Sequence, residues 1–294
     1  MTCRQAMSQT AAHAAHQLES TAVEEMAAFV RGQQNKDGGF RGRSETSDLY
    51  YTVFGLECAV ALGFSPVESV RSFLDAFGDG DGLDFIHLTC LARCRSQLPD
   101  RPGTADRERA ILERLETYRC PDGGFAQSPK VRQGTVYESF LAFLAYEDLE
   151  VDFCGLEALE SSVEKCRIPD GSYANQSGLS SGTTPVTAAA AVLLERLGRP
   201  VETMTTDWLL ARCHPQGGFL ATPETPLPDL LSTATALHAL TVTKRSIAPV
   251  RAVCLDFVQS LWTEGGGFCG HWADDTPDCE YTFYGLLALG SLSL

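Results

Sequence analysis

The chain has 294 residues, 44% hydrophobic and 21% charged, the balance of a globular protein long enough to bury a sizeable core. Its formal charge of −15 argues against a nucleic-acid partner, and no apolar run reaches the roughly 18 residues of a membrane span. Residues 1–20 lack a continuous apolar core behind a positive flank, so no secretory signal is read there and a cytoplasmic location is expected.

Eleven cysteines are an odd number with no CxxC pair, which reads as free, mostly buried thiols in a reducing compartment. Along the chain a Gly-Gly-aromatic turn recurs: DGGF ending at Phe40, DGGF at Phe125, DGSY at Tyr173, QGGF at Phe219 and GGGF at Phe268. The last four anchors are 48, 46 and 49 residues apart; the first gap, 85, holds a degenerate turn, GDGDGL, near its middle. Such a period marks a repeat architecture. Six repeats follow, over approximately 20–63, 64–98, 105–150, 154–198, 200–243 and 247–294, and no linker divides the chain, so residues 1–294 are read as one domain.

Each repeat runs in the same order. An amphipathic helix comes first, as in ERAILERLETYRCPDGGF, and stops at the glycines, where left-handed backbone costs nothing. A polar loop follows, then a helix apolar almost all round, such as TPVTAAAAVLLERLG or YTFYGLLALGSL, which must be buried on most sides. Stacked hairpins of this kind build either an open solenoid or a closed double ring. The last helix runs to Leu294 without a polar face, which an open array would leave exposed. The expected fold is therefore all-α: an (α/α)6 toroid of six helix hairpins.

The string GGF, a polar loop, then D-x-x-[YH]-[TS] opening an apolar helix resembles the repeat of the prenyltransferase β-subunit and terpene-cyclase superfamily. The likeness covers all six repeats, strongest in the first (GGFRGRSETSDLYYT) and last. It implies inner helices around an apolar, aromatic-lined cavity holding an isoprenoid, and in the heterodimeric members a helical α-subunit partner. It also implies a zinc site of Asp, Cys and His that this chain does not keep. PDLLST retains Asp229 but has Leu231 in the cysteine position, and PDCEYT retains Asp278 but has Tyr281 in the histidine position. Zinc is thus not expected, no cofactor is assigned, and magnesium is left open. The basic residues that resemble diphosphate ligands are Arg41 and Arg43 before Asp48, which ring closure would bring beside the Asp278 loop.

Set against the acid motif of class II terpene cyclases, the last repeat puts Asp278, Glu280 and Tyr281 at the corner where that branch does its chemistry. Burial and a neighbouring carboxylate could make Glu280 a proton donor, with Tyr281 as hydrogen-bond partner, while Asp278 also suits a helix N-cap. Tyr50, Tyr51, Tyr137, Trp272 and Tyr284, with Asp48 and Asp229, are the expected substrate-binding residues. Three functions follow: a prenyltransferase-like protein binding an isoprenoid diphosphate without the zinc set, a metal-independent acid-initiated cyclase using Glu280 and Asp278, and a non-catalytic toroid binding a lipid or a protein.

Overall fold

The computed structural model describes residues 1–99 and 103–294. Its inner helices are α3 (Leu49–Ala61), α5 (Phe85–Arg95), α7 (Val136–Asp148), α9 (Thr184–Arg196), α11 (Leu230–Val242) and α13 (Cys279–Ser293). Each is preceded by an outer helix: α2 (Ser20–Gly32), α4 (Val67–Asp75), α6 (Thr104–Glu116), α8 (Leu156–Glu164), α10 (Thr203–Leu210) and α12 (Arg251–Ser260). Neighbouring inner helices pack in sequence order, and α13 packs on α3, so the ring closes. The fold is the (α/α)6 toroid that the repeats predict. The only strands among the described residues, β1 (Phe40–Arg41) and β2 (Ser47–Asp48), are one short antiparallel pair in the first repeat's loop.

The glycine turn explains the construction. In five repeats the aromatic after the glycines is buried, and its backbone N–H donates to a hydroxyl four residues into the inner helix. The pairs are Phe40 with Thr52, Phe125 with Ser139, Tyr173 with Thr187, Phe219 with Thr233 and Phe268 with Thr282, at 2.8 to 3.3 Å. That hydroxyl is the [TS] of the sequence signature. The turn glycines Gly38, Gly123, Gly171, Gly217 and Gly266 have φ between 87° and 95°. A Cβ at any of them would run into the next repeat's outer helix: at Ser69, Ala158, Met204, Val253 and, across the seam, Glu25 of α2. One contact thus repeats around the circle, and its last copy joins repeat six to repeat one. The degenerate second turn is held otherwise, by Arg114 of α6 on Asp79 and Asp81, both at 2.9 Å.

One element has no counterpart in the repeat pattern. α1 (Cys3–Gln17) lies across the carboxyl ends of the inner helices and closes that end of the ring. Ala11 and Ala14 are buried, and α1 crosses α13 where Gly290 leaves no room for a Cβ beside the Thr10 carbonyl. Its polar residues reach inner-helix carboxylates: Ser8 to Glu57 of α3, and Arg4 to Asp148 of α7 at 3.3 Å. The opposite end, where the loops lie, stays open. Among the described residues no helix is long and apolar enough to cross a membrane, and all eleven cysteines are free.

Candidate functional site

A cavity of about 410 Å³ runs down the ring axis from the loop end to α1, whose Met7 forms part of its floor. That volume falls in the range of small-molecule sites. Inner helices start at one level and run parallel, so residues at equal positions form tiers. The second residue of five of the six helices forms the mouth tier: Tyr50, Tyr137, Pro185, Leu231 and Glu280. One turn deeper the lining is mostly apolar and aromatic, including Val53, Phe54, Phe140, Leu141, Ala189, Phe283 and Tyr284, with the hydroxyls of Thr89 and Thr235 among them. Phe54 meets Tyr50, Tyr284 and Phe283 at ring-centroid distances of 5.1, 5.5 and 6.1 Å.

Glu280 faces into this cavity from the first turn of α13. Its Oε1 accepts a hydrogen bond from the Tyr50 hydroxyl at 2.6 Å, and Oε2 has no protein partner among the described residues. Burial pushes its carboxyl up to about 7; the Tyr50 hydrogen bond opposes that shift and Asp278 adds to it. Tyr50 itself is raised far above the ordinary phenol value, by burial first, so it stays a neutral donor.

Asp278 has other work. It is the N-cap of α13, where Oδ1 accepts from the Tyr281 N–H at 2.9 Å, and its Oδ2 accepts from Arg43 Nε at 3.2 Å. The same guanidinium grips Asp274 through both terminal nitrogens, at 3.2 and 2.6 Å. Arg43 therefore reaches the Asp278 loop across the ring seam, as the sequence suggests. It arrives as the counterion of two carboxylates rather than as an open anion ligand. Arg41 pairs with Glu45 at the surface, away from the cavity.

The other expected residues divide the same way. Tyr137 and Tyr284 line the cavity. Asp48 and Asp229 are N-caps of α3 and α11, accepting from Tyr50 and Tyr51 N–H and from Ser232 N–H. Tyr51 stands edge-on to Tyr50 and packs over Gly42. Tyr281 lies over Arg43, 5.6 Å from guanidinium carbon to ring centroid, so the hydroxyl on Glu280 comes from Tyr50 and not from Tyr281. Trp272 sits outside the lining, donating to Ser260 Oγ at 2.9 Å and stacking edge-on with Phe257.

Zinc does not fit these residues. Leu231 presents an alkyl chain at the mouth, Tyr281 is turned onto Arg43, and Asp229 is spent on Ser232. Cys279 is buried in the helix junction, and no three His, Cys, Asp or Glu side chains converge on a metal position among the described residues. The Asp274 and Asp278 carboxylates that could hold magnesium are both paired with Arg43.

A toroid of six α-hairpins with a closed floor and an aromatic cavity defines a class, and the comparisons give it a family. The profile of the prenyltransferase alpha-alpha toroid domain matches residues 5–212 and 186–293, and the chain belongs to that family. Among solved structures it is similar to the type II terpene cyclase MstE from Scytonema in complex with its substrate geranylgeranyl dihydroxybenzoate. That match has 14% identity, 97% of each chain and a TM-score of 0.67. It is also similar to Candida albicans protein geranylgeranyltransferase-I complexed with GGPP, at 17% identity, 92% of this chain, 90% of that one and a TM-score of 0.64. The GH76A alpha-1,6-mannanase from Salegentibacter sp. HEL1_6 matches too, at 12% identity, 93% of this chain, 98% of that one and a TM-score of 0.62. No curated protein sequence matches. Identities this low establish the fold, and chemistry has to be read from the site.

Proposed function

We propose that this chain is a metal-independent cyclase of a linear isoprenoid, with Glu280 as the proton donor. One observation carries this reading: the Glu280 carboxyl, held near neutral pKa, faces the aromatic part of the cavity with one oxygen fixed by Tyr50 and the other free. A carboxylic acid in that state can give its Oε2 proton to a terminal alkene carbon. The new C–H bond leaves a cation on the adjacent carbon, which the next double bond captures, and the last cation sheds a proton. The faces of Tyr50, Phe54, Phe283 and Tyr284 supply the electron density that steadies such cations. Water at the open mouth reprotonates Glu280.

The transferase alternative would need a metal for a thiolate and open basic groups for a diphosphate. Leu231 and Tyr281 fail the first requirement and the pairing of Arg43 fails the second. The geranylgeranyl ligands of the two isoprenoid neighbours support an isoprenoid for this cavity as well. In this reading the single chain carries the whole site and requires no partner subunit. Free cysteines throughout suit a reducing, cytoplasmic setting.

The test is incubation of the purified protein with geranylgeraniol, geranylgeranyl diphosphate and squalene, with and without EDTA, followed by mass-spectrometric analysis of products. A cyclised isomer formed in EDTA, lost in Glu280→Gln and kept in Glu280→Asp, is the expected result. Activity that vanishes with EDTA, or that survives Glu280→Gln, sinks the acid mechanism.

A further inference from the structure

The mouth tier is not the only polar level in the cavity. The ninth residue of each inner helix forms a second tier: Glu57, Arg93, Leu144, Val192, His238 and Leu287. Seven residues at 1.5 Å rise put it about 10 Å below Glu280, with the apolar waist between them. Three of its six residues are polar: Arg93 and His238 line the cavity, and Glu57 is buried behind Arg93.

Most of the charge at this level is already balanced. Arg93 Nε donates to Glu57 Oε1 at 3.2 Å, Ser8 also bonds Glu57, and Arg4 pairs with Asp148 one turn lower. Three groups remain open. The terminal nitrogens of Arg93 have no partner among the described residues, and its side chain, 16% exposed, lines the cavity. His238 also lines it and is 6% exposed, and its Nε2 is fully buried with no hydrogen-bond partner among the described residues. Oδ2 of Asp148 is buried and likewise unpartnered. Buried polar atoms without partners are costly, and a cavity lined by several of them is a place where a ligand would supply missing bonds.

We infer that this deep tier is a second subsite, which binds an uncharged oxygen, a hydroxyl or carbonyl, at the inner end of the isoprenoid. The oxygen would accept from Arg93, and His238 would serve it as donor or acceptor. Burial lowers the His238 pKa to about 4, so its ring is neutral and brings no cation to the floor. A carboxylate or phosphate is disfavoured there because Glu57 and Asp148 already occupy the two available cations. The ligand this describes is oxygenated at the floor, apolar through the waist and unsaturated at Glu280. The inference deepens the isoprenoid reading above and rests on it.

Binding without turnover separates the two claims. Calorimetric titration would compare farnesol, α-farnesene and farnesoic acid on the wild-type protein, Glu280→Gln, His238→Leu and Arg93→Lys. Arg93→Lys keeps a cation beside Glu57, and circular dichroism would confirm that each variant is folded. Farnesol should bind about tenfold more tightly than α-farnesene. That advantage should survive Glu280→Gln and shrink to less than about twofold in His238→Leu and in Arg93→Lys, with farnesoic acid no tighter than the hydrocarbon. An advantage lost in Glu280→Gln and kept in the two deep variants would assign the oxygen to the mouth and overturn the inference. Equal binding of alcohol and hydrocarbon overturns it while leaving the isoprenoid site intact; binding of none of the three overturns both.

Discussion

Asp278 and Glu280 lie two residues apart on one helix turn and have opposite fates. Position 278 points back at the amide ends of α13 and is held by Arg43, whereas position 280 points into the ring. Glu280→Gln keeps the shape and the Tyr50 contact but has no proton to give, so product formation should drop by at least about 10³-fold while ligand affinity changes little. Turnover in the wild type should fall tenfold per pH unit above about 7, where Glu280 ionises. Tyr50→Phe removes the bond that favours the charged carboxylate, so this limb should move to higher pH, read from kcat against pH. The same group leaves a mark on stability. Its folded pKa lies above the ordinary 4.5, so the stability it contributes is complete below pH 4.5 and is lost as pH rises through about 7. His238, lowered to about 4, acts in the opposite sense and costs stability as pH falls below 6.5. Denaturant titrations of wild type, Glu280→Gln and His238→Leu across pH 4 to 8 would resolve the two slopes. The sequence pointed to Glu280 through the family's corner. It gave the wrong tyrosine, because Tyr281 is its neighbour in the chain and Tyr50 is its neighbour only once the ring closes.

At the level of the element, the glycine turn was the most legible feature, since it combines a positive φ, a buried aromatic and a helix hydroxyl in a few residues. Thr233→Val removes the acceptor of a buried Phe219 N–H and should cost about 1–3 kcal/mol by chemical denaturation. Gly217→Ala, with φ at 92° and the Val253 carbonyl behind it, should cost more than about 2 kcal/mol, whereas Gly63→Ala, with open space around its Cβ, pays for the positive φ (75°) alone. The deep tier was harder to see. Glu57, Arg93 and His238 stand on three separate helices with no shared motif, and only superposing the inner helices on their first residues shows that all three share a level. That alignment needs helix starts fixed to one residue, which a sequence pattern leaves uncertain by several.

For the whole molecule, the repeat period carried the ring and said nothing of its floor. Residues 3–17 belong to no repeat; their small side chains are legible only against Gly290 and the inner-helix ends they cross. A chain beginning at residue 19 leaves Asp148 and Glu57 without Arg4 and Ser8. It should melt at a lower temperature than the full chain, and ligand affinity should fall even where helix content is retained.

The seam between repeats six and one repeats the contact made at four of the other five junctions, with Gly266 against α2 as Gly217 is against α12. A closed circle of this sort has no privileged beginning. The order of hairpins along the polypeptide is then a matter of where the covalent chain happens to be cut. A circular permutant joined from Leu294 to Met1 through a flexible linker and reopened between α11 and α12 should rebuild the same cavity around Glu280. It would also unfold in one cooperative transition, because a ring cannot fray from an end.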